Sequence, residues 1–380
     1  MPNFKNVEIV IDRQSWPSNI PPPPILSLSG SRAVDTDLTL LHTALWTCPP
    51  TYTGFDLSDC WAWMRYQRAL ATTKDLRLRQ EWKDIDPHQK TILSDELGVG
   101  FTTQLFIDTL GFRFYVDTRY LAKLLPEYFW LVSSNKQGPQ KSPDYVAFDR
   151  YWSHSILECK GTQTSLKSLE KAIEDGVEQK KLGSLRNSKY ALVAGLFIPQ
   201  STNSQKATIR VGDPVWEDLE IALNNISRDE RSQRKLLITA MQISFAKHFA
   251  LMGFYSMANS LMALRLDNLD LHSLRNIGGE DLEFLRSREN NNRLLFSIEQ
   301  SLPPHEKSKN DDRANARRMR FRIEFSYEQY IRLIESNNIF EELYQTALNL
   351  EGKIWDYRAT ETSTELLSPL GFSINLDYIY

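Results

Sequence analysis

A chain of 380 residues with 41% hydrophobic and 24% charged side chains has ordinary globular composition, enough for two or three domains. Its net charge of −3 excludes a polycation, so nucleic-acid binding would need local basic patches. Three cysteines, Cys48, Cys60 and Cys159, match no zinc spacing and argue against a disulfide framework, which points to a reducing cytoplasm. The opening residues carry no signal-peptide apolar region. The longest uncharged apolar run, Phe249 to Leu264, is too short for a membrane span and reads as a buried core helix.

In chain order, "NVEIVIDRQ" alternates as a strand, and the proline run "NIPPPPILSLSG" must be extended. Asp59 to Lys74 has aliphatic and aromatic residues at helical spacing. "DPHQKTILSDELGVGFTTQLFIDTLG" predicts one helix, with Asp86 as N-cap, Pro87 at the first position and Gly111 as the stop. "FRFYVDTRYL" follows as a strand. A hairpin comes next: "DYVAF" as one strand, "DRYWSH" as the turn region and "SILECKG" as the second strand. Thr164 or Ser165 then caps a helix that Gly183 ends, and "KYALVAGLFIP" is a strand buried on both faces. Helix, three strands, helix, strand describes an α/β sheet with helices on its faces.

Residues 201 to about 265 read as mostly helical, "RRMRFRIEF" alternates strictly, "SYEQYIRLIESNNIFEELYQTALNL" is helical, and "GFSINLDYIY" is a strand. The expected organisation is an N-terminal extension over 1–85, an α/β domain over 86–200 and an α+β domain over 201–380. Pro303 to Arg317 reads as an exposed loop.

The hairpin carries the chemistry. Asp144 opens its first apolar run, and Glu158 closes the second with Lys160 on the same strand face. If the strands are neighbours, both acids converge at one sheet edge. Carboxylates brought together in a partly buried site repel unless a cation lies between them. Mg²⁺ suits one or two protein acids plus waters, and a lysine beside it can hold developing negative charge. The chain has four E-x-K triplets, but only Glu158/Lys160 closes an apolar strand-like run, and Pro-Asp occurs once, at Pro143-Asp144.

Pro143-Asp144 followed by Glu158-x-Lys160 at the end of the next strand resembles the PD-(D/E)xK nuclease superfamily, over about residues 85 to 200. The resemblance implies a restriction-endonuclease-like central mixed sheet flanked by helices. It implies Asp144, Glu158 and, from the preceding helix, Glu96 as ligands of Mg²⁺, with Mn²⁺ able to substitute, and Lys160 as the residue that positions or activates water. Gln179 would be an auxiliary residue from the second helix, though Gly183 stands where a tyrosine often follows it. The implied activity is DNA phosphodiester hydrolysis in restriction or anti-phage defence, with no membrane role. The alternatives are an RNase of the same fold and an inactive, nuclease-like nucleic-acid-binding or scaffold protein.

Four further readings stay open. His154 is either a general base on the face of Glu158 or a hairpin residue. Tyr151 and Trp152 either stack on bases or cover the sheet edge. Arg317, Arg318 and Arg320, with Lys307, Lys309, Arg313 and Arg322, either bind phosphates or form a solvated face. The domain over 201–380 is the expected contact for a protein partner or a second copy.

Overall fold

The structure is a computed structural model that describes residues 3–16, 19–51, 66–128, 142–181, 188–213, 230–265, 289–290, 292–301, 316–350 and 353–380, with backbone only at 177–181 and 289–290. Its elements in chain order begin with β1 (Phe4–Ile11), a single helical turn over Pro23–Leu26 that corrects the extended, non-helical reading of the proline run because proline is tolerated in a first helical turn, then β2 (Gly30–Asp35), α1 (Thr36–Thr47) and α2 (Pro87–Leu110). They continue with β3 (Phe112–Asp117), α3 (Thr118–Leu124), β4 (Tyr145–Asp149), β5 (His154–Thr162), α4 (Leu166–Lys181), β6 (Ala191–Phe197) and β7 (Thr208–Gly212). The rest comprises α5 (Glu230–Leu251), α6 (Tyr255–Ala263), β8 (Glu289–Asn290), β9 (Arg293–Ser301), β10 (Arg318–Ser326), α7 (Tyr327–Glu335), α8 (Ile339–Leu348), β11 (Asp356–Ala359), β12 (Ser363–Leu367) and β13 (Ser373–Ile379). No helix among the described residues is long and apolar enough to cross a membrane.

The protein is mixed α/β and divides into two compact units. One comprises Phe4–Val34 and Ala69–Leu236, the other Met1–Asn3, Asp35–Arg68 and Leu237–Tyr380. The expected breaks near 85 and 200 are therefore corrected. The first unit contains a seven-stranded sheet in the order β2-β1-β7-β6-β5-β4-β3. β1 reaches it from the N-terminal region by pairing in parallel with β7, and β7 lies where helix was expected. The reason is burial: Val7, Ile9, Ile209 and Val211 are all closed off, which local periodicity in a short segment does not reveal.

The predicted central motif is present. β3, β4 and β5 run antiparallel in sequence, β5 pairs in parallel with β6, and β6 pairs antiparallel with β7. Asp86 caps α2 by accepting the His88 N–H, and Gly111 ends it with φ 66°. Ser165 accepts the Ser168 N–H at the start of α4. "TRYL" is corrected from strand to helix α3. The second sheet is antiparallel, in the order β11-β12-β13-β10-β9-β8. Along β10, Met319, Phe321, Ile323 and Phe325 are buried, the period-2 pattern of a sheet packed on one face. Phe325 stacks on Phe372 at 4.1 Å, and Phe249 meets Tyr330 edge-on at 5.8 Å.

Two long helical readings are each broken in two. The run through Phe249 breaks between α5 and α6 at Gly253, which takes φ 77°. The run from Tyr327 breaks after Glu335, and Asn338 caps α8 by accepting the Glu341 N–H. Residues 59–65 of the Asp59–Lys74 helix reading, residues 303–315 of the Pro303–Arg317 loop reading and the Gln179 side chain lie outside the described residues; of the rest of that helix reading, 66–69 are helical and 70–74 are not.

Candidate active site

β4 and β5 are adjacent and antiparallel, with Tyr145 opposite Leu157, so Asp144 and Glu158 fall at the same end of the pair. They are joined by crossed hydrogen bonds. The Cys159 N–H donates to Asp144 Oδ2 at 2.8 Å, and the Asp144 N–H donates to Glu158 Oε2 at 3.0 Å. Lys160 Nζ donates to Glu158 Oε1. Side-chain alternation sends Cys159 to the opposite face, where Thr102 Oγ1 of α2 donates to its thiol at 3.1 Å.

The sequence dictates this placement. Ile156 and Leu157 are wholly buried, as are Val146 and Ala147 across the pair. Because both faces of the pair are buried, slipping one strand by a residue would exchange side chains of different size between two packed faces and lose the fit on each. The register therefore carries Glu158, only 1% exposed, into a site it would not enter alone.

Burial raises the pKa of Glu158, the neighbouring Asp144 charge raises it further, and Lys160 pulls it back. Burial also raises Asp144, against the Cys159 N–H and Lys160. For Lys160, burial acts downward, but Glu158 and Asp144 outweigh it and leave the ammonium above its ordinary value. The ammonium thus compensates only part of the charge of two crowded acids. Such a pair gains from a further cation, and two carboxylates are what Mg²⁺ takes from a protein while keeping waters. The donor set fits that ion.

Glu96 is half-buried on α2. Among the described residues, no three His, Cys, Asp or Glu side chains form a group able to hold a metal, with or without Glu96. The field of Glu96 reaches Tyr145, whose phenol is raised first by burial and then by Asp117, Asp144, Cys159 and Glu96.

Sequence reasoning missed two acids near the pair. Asp95 is raised by desolvation against the pull of Lys160, and its charge in turn raises Asp144. Asp117 also raises Asp144 and pairs in register with Tyr145. A signal for Asp117 was present, because "FRFYVD" is another apolar run closed by an acid.

The remaining candidates lie elsewhere. His154 pairs with Phe148 at the far end of β5, away from Glu158, with the two rings 6.3 Å apart. The turn "DRYWSH" is organised by Asp149, whose Oδ1 accepts the Tyr151 and Ser153 N–H groups at 2.8 and 3.0 Å. Its Oδ2 accepts from Lys189 Nζ at 2.9 Å. Trp152, at φ 60°, packs on Phe114 with Arg113 6.0 Å from its ring, so it covers the sheet, while Tyr151 is exposed.

On β10 the arginines are engaged with acids. Arg318 and Arg320 both bond Glu299, at 2.6 and 2.8 Å, and Arg322 bonds Asp377 through two nitrogens. Arg317 is exposed at the strand start. Arg318 and Arg320, read as either phosphate-binding or a solvated face, are thus joined to Glu299 across the strand pair. No family model matches this chain, and no curated protein or solved structure matches it.

Proposed function

We propose that this chain is a divalent-cation-dependent nuclease of the restriction-endonuclease-like kind, hydrolysing phosphodiester bonds of DNA in the cytoplasm. One observation carries the reading: Asp144 and Glu158 lie crossed at one end of a buried strand pair with Lys160 bonded to Glu158. Asp144 and Glu158 would hold Mg²⁺, or Mn²⁺ in its place. When bound, the ion supplies Lewis acidity toward phosphoryl oxygen and lowers the pKa of water.

The chain's own residues do the rest. The Cys159 N–H holds Asp144, and the Asp144 N–H holds Glu158, so each acid is oriented by the opposite strand and needs little reorganisation. Lys160 keeps a positive charge beside the acids, placed to steady the phosphate as negative charge develops on it. Asp95 and Asp117 add negative field that favours retention of a cation. In this reading the chain acts in restriction or anti-phage defence, and the unit containing Leu237–Tyr380 contacts substrate, a protein partner or a second copy.

The test uses the full chain and the variants D144A, E158A and K160A with plasmid, single-stranded DNA and RNA in Mg²⁺. Single removal of a group that acts in the transition state costs roughly 10²- to 10⁴-fold. Wild-type cleavage matched by all three variants refutes the site. Preferred cleavage of RNA refutes the substrate.

A further inference from the structure

Three glycines from three different elements meet at Lys160. A Cβ on Gly98 of α2 would stand 2.4 Å from the Lys160 carbonyl oxygen, so α2 lies directly on the backbone there. Gly195 of β6 pairs in register with Lys160, and a Cβ on it would stand 3.2 Å from Lys160 Cβ and 2.7 Å from Leu169 Cδ1. A Cβ on Gly176 of α4 would stand 3.2 Å from both Lys160 Cε and Glu158 Cγ, and 2.9 Å from Val193 Cγ1. The stem of Lys160 thus begins beside one bare backbone position and ends beside another. Leu169, Ile173, Val193 and Phe197 form a buried cluster, and Leu169 and Val193 are the members that a Cβ on Gly195 or Gly176 would meet most closely.

We propose that Gly195 and Gly176 are positioning residues that form a slot for the Lys160 side chain and deliver its ammonium to Glu158. A lysine has a long flexible stem, and an ion pair alone leaves many rotamers that satisfy it. The slot removes most of them. Its catalytic meaning rests on the nuclease reading above, but its geometry does not. Helix–sheet packing by itself would also favour small residues here, so the test must follow Lys160 directly.

The experiment labels the folded full chain with an amine-acylating reagent and reads each lysine by peptide mass spectrometry. Lys160, with its side chain 21% exposed, is compared with Lys206, which is 71% exposed. Wild-type Lys160 is expected to react several-fold more slowly than Lys206, because far less of its side chain is open to the reagent. G176A should raise the Lys160 rate, leave Lys206 unchanged and lower kcat with KM nearly constant. G176A/V193A removes the clash with Val193 but keeps the tight approaches to Glu158 and Lys160, so both effects should persist.

E158Q keeps the slot and removes the ion pair, and its Lys160 should remain slower than Lys206. This arm does not depend on how well G176A folds. Unchanged Lys160 labelling in folded G176A, or recovery of wild-type labelling in G176A/V193A, overturns the slot. So does E158Q labelling at Lys160 as fast as at Lys206. Wild-type protein that cleaves no nucleic acid overturns the nuclease reading alone, because the labelling still judges the slot.

Discussion

Replacing Asp149 with alanine tests what holds the hairpin that carries both acids. Asp149 is 3% exposed and serves three donors: the Tyr151 N–H, the Ser153 N–H and Lys189 Nζ. The Ser153 N–H is half-buried and left without its acceptor, which costs about 1 kcal/mol. The Tyr151 N–H sits in an exposed turn where water replaces much of the bond, so its loss costs about 0.5 kcal/mol. The Lys189 side chain is 45% exposed, and solvent screening limits that ion pair to about 0.5 kcal/mol. The expected loss is therefore about 2 kcal/mol, felt locally in β4 and β5. D149N keeps an acceptor for the two N–H groups and should lose under about 1 kcal/mol. Hydrogen exchange of peptides spanning 145–162 under native conditions reads this opening directly, without treating two compact units as one transition. If D149A opens within about 0.5 kcal/mol of wild type, or D149N is as damaging as D149A, the turn is not held by this carboxylate.

Other expectations concern packing, pH and charge. G161A places a Cβ 1.7 Å from the Ser94 carbonyl oxygen, backbone against backbone, so α2 must leave β5; a loss of about 3–5 kcal/mol in urea denaturation is expected. Asp144 and Glu158 have folded pKa values raised to about 6 and about 8, so their contribution to stability is complete below their unfolded values near 4. It is lost progressively as pH rises above about 4, up to about 6 for Asp144 and about 8 for Glu158, and a divalent cation should raise Tm more at pH 8 than at pH 6, a difference that D144N/E158Q abolishes. The histidines act in the opposite direction. Burial lowers His248 to about 4 and His42 to about 3, and both are neutral in the fold. Their contribution is complete above about pH 6.5 and falls as the medium is acidified toward 4 and 3, by about 3 kcal/mol for His248 alone. H248Q should flatten the acid limb of a melting-temperature profile; an unchanged limb refutes the assignment. E299A frees Arg318 and Arg320 and should strengthen salt-sensitive DNA binding if that face meets phosphate; unchanged binding removes it from consideration.

The acids of the site were legible because they break a pattern. A buried strand excludes charge, so Asp144 and Glu158 at the ends of apolar runs marked themselves, and alternation put Lys160 beside Glu158. Helix α2 was equally readable, since Asp86, Pro87 and Gly111 each perform a local backbone task. What a chain of residues states locally, it states in short-range spacing.

The rest depended on long-range pairing. That β1 joins β7 across about two hundred positions, or that Arg318 and Arg320 share Glu299 of a neighbouring strand, follows from register between distant segments. Asp95 and Asp117 entered the site's field only when α2 and β3 packed around β4 and β5. The bare positions at Gly98, Gly176 and Gly195 gained meaning the same way: a missing side chain is silent in sequence until another element comes close enough to need the space. Sequence by itself determined which residues could do chemistry and which elements carried them. Only the tertiary structure decided their neighbours, because burial, charge coupling and close approach are properties of packed segments.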